Sequence, residues 1–286
     1  MSAQIKAFFH KPSSTFSYVI ADPATRRAAV IDPVLDYDAA AGRTGNTSAD
    51  AIIAHVRAEN LTLDWVLETH AHADHVSAAQ HIKEELGGRV AIGEGIRQVQ
   101  ATFARLFNIE NQVPADGRQF DYLFKDGEPF KIGNLTARVL AAPGHTSDCV
   151  AYVIDDAAFV GDTLFIPDSG TARCDFPGGD AGMLYDSIQK ILSLPAATRL
   201  FMCHDYAAGG REYKNETTVA EQKRANIHVH DGVSRAEFIK LRTDRDKTLS
   251  VPVLLLPAVQ INTRAGLVPP PEANGVSYLK IPLNKF

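Results

Sequence analysis

At 286 residues, with 45% hydrophobic and 22% charged side chains, the chain can bury a full core. It lacks the composition of a disordered, collagenous or disulfide-scaffold protein. Its net charge of -5, with acids and bases interspersed, argues against the basic stripe of a nucleic-acid surface. Its three cysteines, Cys149, Cys174 and Cys203, cannot all pair and suit free thiols in a reducing compartment. The N-terminal residues lack the apolar core of a secretion signal. The most apolar run, residues 251–259, is short and broken by Pro252 and Pro257, so no bilayer span is expected. A cytoplasmic protein is the expectation.

In chain order, Phe8, Phe9 and residues 16–20 read as the first strands, followed by a turn at 22–25 and a strand at 28–31. Residues 36–46 carry Gly42 and Gly45 without apolar period and read as a loop. Ser48 then caps a helix in which Ile52, Ile53 and Val56 share one face. A strand is expected at 65–67 and a helix over 76–83, ending before Gly87 and Gly88. Further on, the pattern predicts a strand at 90–92, a helix over 96–107 and a loop over 114–127. Strands follow at 130–132, 135–140, 150–154 and 157–160, then a helix at 182–194 and a strand at 200–203. Helices at 215–225 and 234–242 precede a proline-rich tail, 252–271, that reads as irregular but packed. Hairpin-like strand pairs alternate with strand–helix units. Such a pattern suggests one layered α/β domain over 1–286 with mixed sheets, its 231–286 part a helix plus the irregular tail.

Between the strand at 65–67 and the next helix lies Thr69-His70-Ala71-His72-Ala73-Asp74-His75. Four metal-binding side chains occur there in seven residues, too dense for chance in a polar loop. Alternation in the extended part puts His70 and His72 on one side, and Asp74 and His75 are expected in the first turn of the helix. Three later turns each place a ligand-type residue just after an apolar strand: His145, Asp162 and His204. Loops held by rigid strands are how a precise metal site is built. His10, His55, His81, His228 and His230 read as ordinary core or surface histidines.

On these residues, with Gly144-His145-Thr146 and Gly161-Asp162-Thr163, the sequence resembles the metallo-β-lactamase superfamily over roughly residues 5–230. The resemblance implies an αβ/βα sandwich of two mixed sheets flanked by helices, with the metal site in the cleft between sheet edges. In two-metal members, residues like His70, His72 and His145 hold one ion, those like Asp74, His75 and His204 the other, and the one like Asp162 bridges them.

Two branches of that superfamily keep all seven residues. One is the glyoxalase-II-like thiolester hydrolase, with two Zn(II) or mixed metals. The other is the persulfide dioxygenase, with one Fe(II) per chain held by two histidines and a carboxylate. The run Arg173-Cys174-Asp175-Phe176 is similar to the Arg-Thr-Asp-Phe of the dioxygenases, and His204-Asp205-Tyr206 also looks like their form. Asp148 stands where their His-Thr-x-Gly-Cys turn has glycine. The resemblance therefore implies His70, His145 and Asp162 as the iron triad, with His72, Asp74, His75 and His204 around it. It implies glutathione persulfide and O₂ as reactants. Arg173 is the best candidate for a glutathione carboxylate, Tyr206 a hydroxyl donor, and Arg211, Lys214 and Arg224 weaker candidates. A homodimer is the default assembly.

Overall fold

Along the second strand, Phe16, Tyr18 and Ile20 point to one face and Val19 and Ala21 to the other, and all are buried. Only a strand covered on both faces needs that pattern. The computed structural model, which describes residues 2–285, builds two such covered sheets.

The first half runs β1 (Gln4–His10), β2 (Thr15–Ala21), β3 (Arg27–Ile31), β4 (Val34–Asp38), β5 (Arg43–Gly45), α1 (Thr47–Ala58), β6 (Thr62–Leu67), β7 (Val76–Ser77), α2 (Ala79–Leu86), β8 (Arg89–Gly93), α3 (Ile96–Phe107) and β9 (Tyr122–Phe124). The second runs β10 (Pro129–Ile132), β11 (Leu135–Ala141), β12 (Val150–Ile154), β13 (Ala157–Phe159), α4 (Ala181–Leu192), β14 (Arg199–Phe201), β15 (Glu216–Thr218), α5 (Val219–Ala225), α6 (Arg235–Asp246) and α7 (Leu255–Asn262). One sheet has the order β1-β2-β3-β6-β8-β9 and the other β10-β11-β12-β13-β14-β15, with a small β5-β4-β7 sheet beside them. Both large sheets mix parallel and antiparallel pairs.

Three apolar layers hold these parts together. Tyr18, Ile31 and Phe124 of the first sheet meet Ile132, Tyr152 and Phe159 of the second between the sheets. The first sheet's outer face packs on α1, α2, α3 and α7 through residues such as Val30, Ile52, Ile82, Phe103 and Val259. The second sheet's outer face packs on α4, α5 and α6 through Val153, Ile188, Val219 and Phe238. The result is the four-layer αβ/βα sandwich that the sequence implies. Among the described residues no helix is long and apolar enough to cross a membrane.

Several local expectations are corrected. Residues 36–46 are largely the β4–β5 hairpin, not a loop; β5 is exposed, so its sequence carries no apolar alternation. Ser48 does not cap α1; its hydroxyl and amide instead reach Asp36 of β4. Residues 76 and 77 form β7 against β4, and α2 starts only at Ala79, so Asp74 and His75 sit in a loop and not in a helical turn. The 114–127 stretch contains β9, and 216–218 is an edge strand ahead of α5. The proline-rich tail contains α7, whose Pro257 lies in the first turn, where its missing N–H has no intrahelical partner to lose.

Candidate metal centre and its cavity

β6 delivers the chain into the loop 68–75 at the edge of the first sheet, and this loop is pinned from three directions. Asp32, just past β3 with φ +48, accepts the Thr69 amide at 2.7 Å and its hydroxyl at 2.9 Å. Asp148, from the turn after β11, accepts the Ala71 amide at 2.8 Å and the Thr146 hydroxyl at 2.6 Å. Asn262, at the end of α7, donates to the His72 and His75 carbonyls at 2.8 and 2.9 Å and accepts the Ser77 amide at 2.8 Å. The backbone polar groups of a buried, irregular loop are thereby satisfied without regular structure.

Against this loop the ends of β11, β13 and β14 bring His145, Asp162 and His204. The His145 turn depends on Gly144, which has φ +138 and lies so close to α4 that a Cβ would stand 2.2 Å from the Leu184 nitrogen. His145 Nδ1 lies 2.6 Å from the Arg173 carbonyl oxygen, which can only accept, so Nδ1 carries the proton and Nε2 faces Asp162 at 3.7 Å. His70 Nε2 lies 3.9 Å from the same Asp162 oxygen. His70, His145 and Asp162 thus form one convergent set with ligand atoms within 4.8 Å of one another.

A second set, His72, Asp74, His75 and His204, converges beside the first. His204 Nε2 lies 3.1 Å from Asp74 and 3.3 Å from Asp162, so Asp162 borders both sets. The far nitrogen of His72, Nε2, stands 3.0 Å from Asp32 and 3.7 Å from Glu68. All seven residues that the sequence singles out for metal binding are therefore brought together.

Burial sets the charges. It lowers His70 and His72 well below the ordinary imidazole value, with neighbouring imidazoles adding to the effect. Burial also opposes ionisation of Asp74, but His204 and His75 outweigh it and hold the carboxyl well below its usual range. His204 is the exception among the imidazoles: burial works against its charge, yet Asp162 and Asp74 raise it. Cys203 lies among these groups, and burial pushes its thiol well up, keeping it protonated.

The donor set fits a metal ion. His70 Nε2, His75 Nε2, His204 Nε2 and Asp162 Oδ1 are buried without a hydrogen bond. Such atoms cost about 1–3 kcal/mol each when left unpaired. Neutral imidazole nitrogens with carboxylate oxygens are the donors of first-row divalent metals.

His145 and Asp162 open into a cavity of about 400 Å³. Phe165, Phe176 and Tyr206 form its aromatic sides, and Arg173, Arg242 and Arg245 its cationic wall. Arg173 and Tyr206 are thus where the sequence expects them, beside the site. Arg211 and Arg224 are not. Arg211 is forked between Asp168 and Asp205, at 2.5–2.8 Å, outside the cavity, and Arg224 is exposed on α5. Lys214 also lies outside the cavity lining. Sequence reasoning missed Asp32, Asp148 and Asn262 as loop clamps, and Arg242 and Arg245 as cavity residues. A larger open cleft of about 770 Å³, at the starts of β6 and β8, is lined by Trp65, Arg89 and Tyr122 and contains no histidine.

Comparison with known proteins agrees with this architecture. The family model of the metallo-beta-lactamase superfamily matches residues 10–204. The chain is 51% identical to a probable metallo-hydrolase of Burkholderia pseudomallei, covering 98% of this chain and 99% of that one. It is 31% identical to the mitochondrial persulfide dioxygenase ETHE1 of Bos taurus, over 94% of this chain and 91% of the other. The crystal structure of ETHE1 from Myxococcus xanthus superimposes with a TM-score of 0.74 at 32% identity, covering 92% of this chain and 100% of that one. Some relatives are longer: the chain spans 65% of a beta-lactamase hydrolase-like protein of Xylella fastidiosa to which it is 50% identical. The chain belongs to the metallo-beta-lactamase superfamily.

Proposed function

We propose that this protein is a mononuclear iron(II) persulfide dioxygenase. It converts glutathione persulfide, O₂ and water to glutathione and sulfite. The observation that carries the reading is the convergence of two imidazoles and one carboxylate, His70, His145 and Asp162, with His145 and Asp162 lining a cavity open to substrate. Two histidines and one carboxylate with open positions are the donor set of non-haem Fe(II) oxygenases. The similarity to persulfide dioxygenases over most of the chain supports the same reading. When bound, Fe(II) would supply open coordination positions at which a persulfide sulfur and O₂ meet.

The chain's own groups do the rest. The Arg173 carbonyl fixes the His145 tautomer and ring orientation. Phe165 and Phe176 exclude water around the reacting sulfur, the Phe176 ring meeting His145 edge-on at 5.4 Å. Tyr206 stacks on His204 with ring centroids 6.0 Å apart and supplies a hydroxyl at the cavity. His72, Asp74, His75 and His204 orient ligands and water.

A second reading is favoured by the four donors of the second set, which would hold another ion and make the protein a glyoxalase-II-like thiolester hydrolase with two Zn(II) or mixed metals. The hydrolase name of the Burkholderia relative fits it. Metal content as purified, together with oxygen uptake on glutathione persulfide and hydrolysis of a glutathione thiolester, separates the two. One iron and oxygen uptake support the dioxygenase. Activity restored by Zn(II) without oxygen uptake overturns it.

A further inference from the structure

The chain between Asp162 and α4 has no regular structure, yet its middle, residues 171–174, is mostly buried. Its backbone groups therefore need partners from outside the segment. α6 supplies them on both sides of Arg173. Arg242 Nη1 donates to the Thr171 carbonyl at 3.0 Å. Asp246 Oδ2 accepts the Cys174 N–H at 2.9 Å and the Cys174 thiol at 3.3 Å. Just past the helix, the Ser250 carbonyl takes Arg173 Nη1 at 2.6 Å. Arg173 itself turns its carbonyl to His145 Nδ1.

Arg242 and Asp246 are an ion pair four residues apart on α6, their side chains only 2% and 4% exposed. The Arg242 Nε is buried with no partner among the described residues. Such a pair is an expensive way to seat a helix. Taking two charges out of water often costs more than their attraction returns, and apolar residues of similar size commonly do as well or better. α6 already has apolar anchors on the second sheet's outer layer, Phe238 among them. What the pair adds, and an apolar pair could not, is a donor and an acceptor for backbone groups on either side of Arg173. We propose that Arg242 and Asp246 are positioning residues for His145. By fixing residues 171–174 they hold the Arg173 carbonyl on Nδ1, which leaves Nε2 unprotonated and turned to Asp162. α6 is thus part of the support of the metal centre, although none of its residues belongs to either donor set. This inference rests on His145 as a metal ligand and not on the choice between an iron dioxygenase and a two-metal hydrolase.

Co(II), added to the metal-stripped full chain, is the probe. The double variant Arg242→Met/Asp246→Leu replaces the pair by apolar side chains and should keep or raise the urea midpoint. Its Co(II) affinity, measured by competition with a chelator, should nonetheless fall about tenfold, the lower end of what losing the support behind a ligand costs. The His145 Nδ1 proton gives a signature specific to this ligand, read in the NMR spectrum of Co(II) protein labelled at histidine nitrogen. It should exchange with solvent faster in the double variant. Arg242→Met/Asp246→Asn gives the Cys174 amide an acceptor again without a buried charge, and should recover part of both losses. Wild-type affinity with an unchanged His145 line in the apolar double variant overturns the proposal, as does an Asn variant no better than the Leu one. Absence of oxygen uptake by wild type would sink the dioxygenase reading while leaving the Co(II) comparison intact.

Discussion

The side-chain amide of Asn262 donates to the main-chain carbonyl of His75 across 187 residues of sequence, at 2.9 Å. The same amide reaches His72, and its oxygen takes the Ser77 N–H, so one residue of α7 fixes three points of the ligand-bearing loop. Asn262 is buried. Asn262→Ala should therefore leave two carbonyls and one amide unpaired, costing about 1–3 kcal/mol for each group that stays unsatisfied. The expected outcome is a lower melting temperature and faster metal loss to a chelator, both measured against wild type. Asn262→Asp, which keeps the acceptor for Ser77 but opposes the two carbonyls, should be no better than Ala. Unchanged metal retention in both variants would show that the loop holds its shape without α7.

The two donor sets make different forecasts for single-ligand variants. If the His70, His145 and Asp162 set holds the only ion, His145→Ala should abolish metal binding and His75→Ala should retain close to the wild-type amount. If both sets are filled, each variant should lose about half of the metal, since structural sites with one ligand missing lose affinity steeply. Elemental analysis of the three proteins, purified in parallel, decides between these patterns.

How much of this was legible in the sequence follows from the range of each interaction. The apolar core strands and α3 announce themselves through local period, and the seven donors stand out because most of them sit directly after apolar strands. The β4–β5 hairpin hid because exposed edge strands have no apolar alternation. α7 hid because Pro252 ahead of it and Pro257 within it read as breakers, though Pro257 falls where a helix tolerates one. The clamps are illegible for a different reason. Asp32 lies 37 residues from Thr69 and Asp148 77 residues from Ala71, and neither carries a local signal that it accepts those amides. Arg173 has the motif position, but its guanidinium is taken up by Asp175 and the Ser250 carbonyl. Sequence shows the first property and only the packed side chains show the second.

Gly144→Ala should be among the most damaging single-methyl additions in the chain. A Cβ there would lie 2.2 Å from the Leu184 nitrogen and 2.3 Å from its Cα, and the residue's φ of +138 already disfavours a side chain. The His145 turn cannot move away from α4 without displacing a member of the metal set. A destabilisation of roughly 2–3 kcal/mol is expected, with loss of bound metal. Gly127→Ala serves as the control: its φ is +75 but nothing lies within 4 Å, so only the backbone strain remains. Urea midpoints of both variants, with metal content measured beside them, test whether the clash or the dihedral dominates.

His228 supplies a pH signature away from the metal set. Its Nδ1 accepts the Thr171 amide at 3.0 Å, and its ring packs on Gly170, where a Cβ would stand 2.1 Å from that nitrogen. Burial pushes the imidazole down to about 4, with the charges of Arg242 and Arg245 adding to the effect. Free in the unfolded chain it titrates near about 6.5. Between those values the unfolded state binds the extra proton, so stability is fully present above about 6.5 and is lost as pH falls toward 4. His228→Gln, which can still accept the Thr171 amide through its side-chain oxygen, removes the titration. The difference in urea midpoint between wild type and this variant should be constant above pH 7 and should shift against the wild type as the solution is acidified. A difference that stays flat from pH 7 down to 4.5 would mean that His228 is not held neutral by its surroundings.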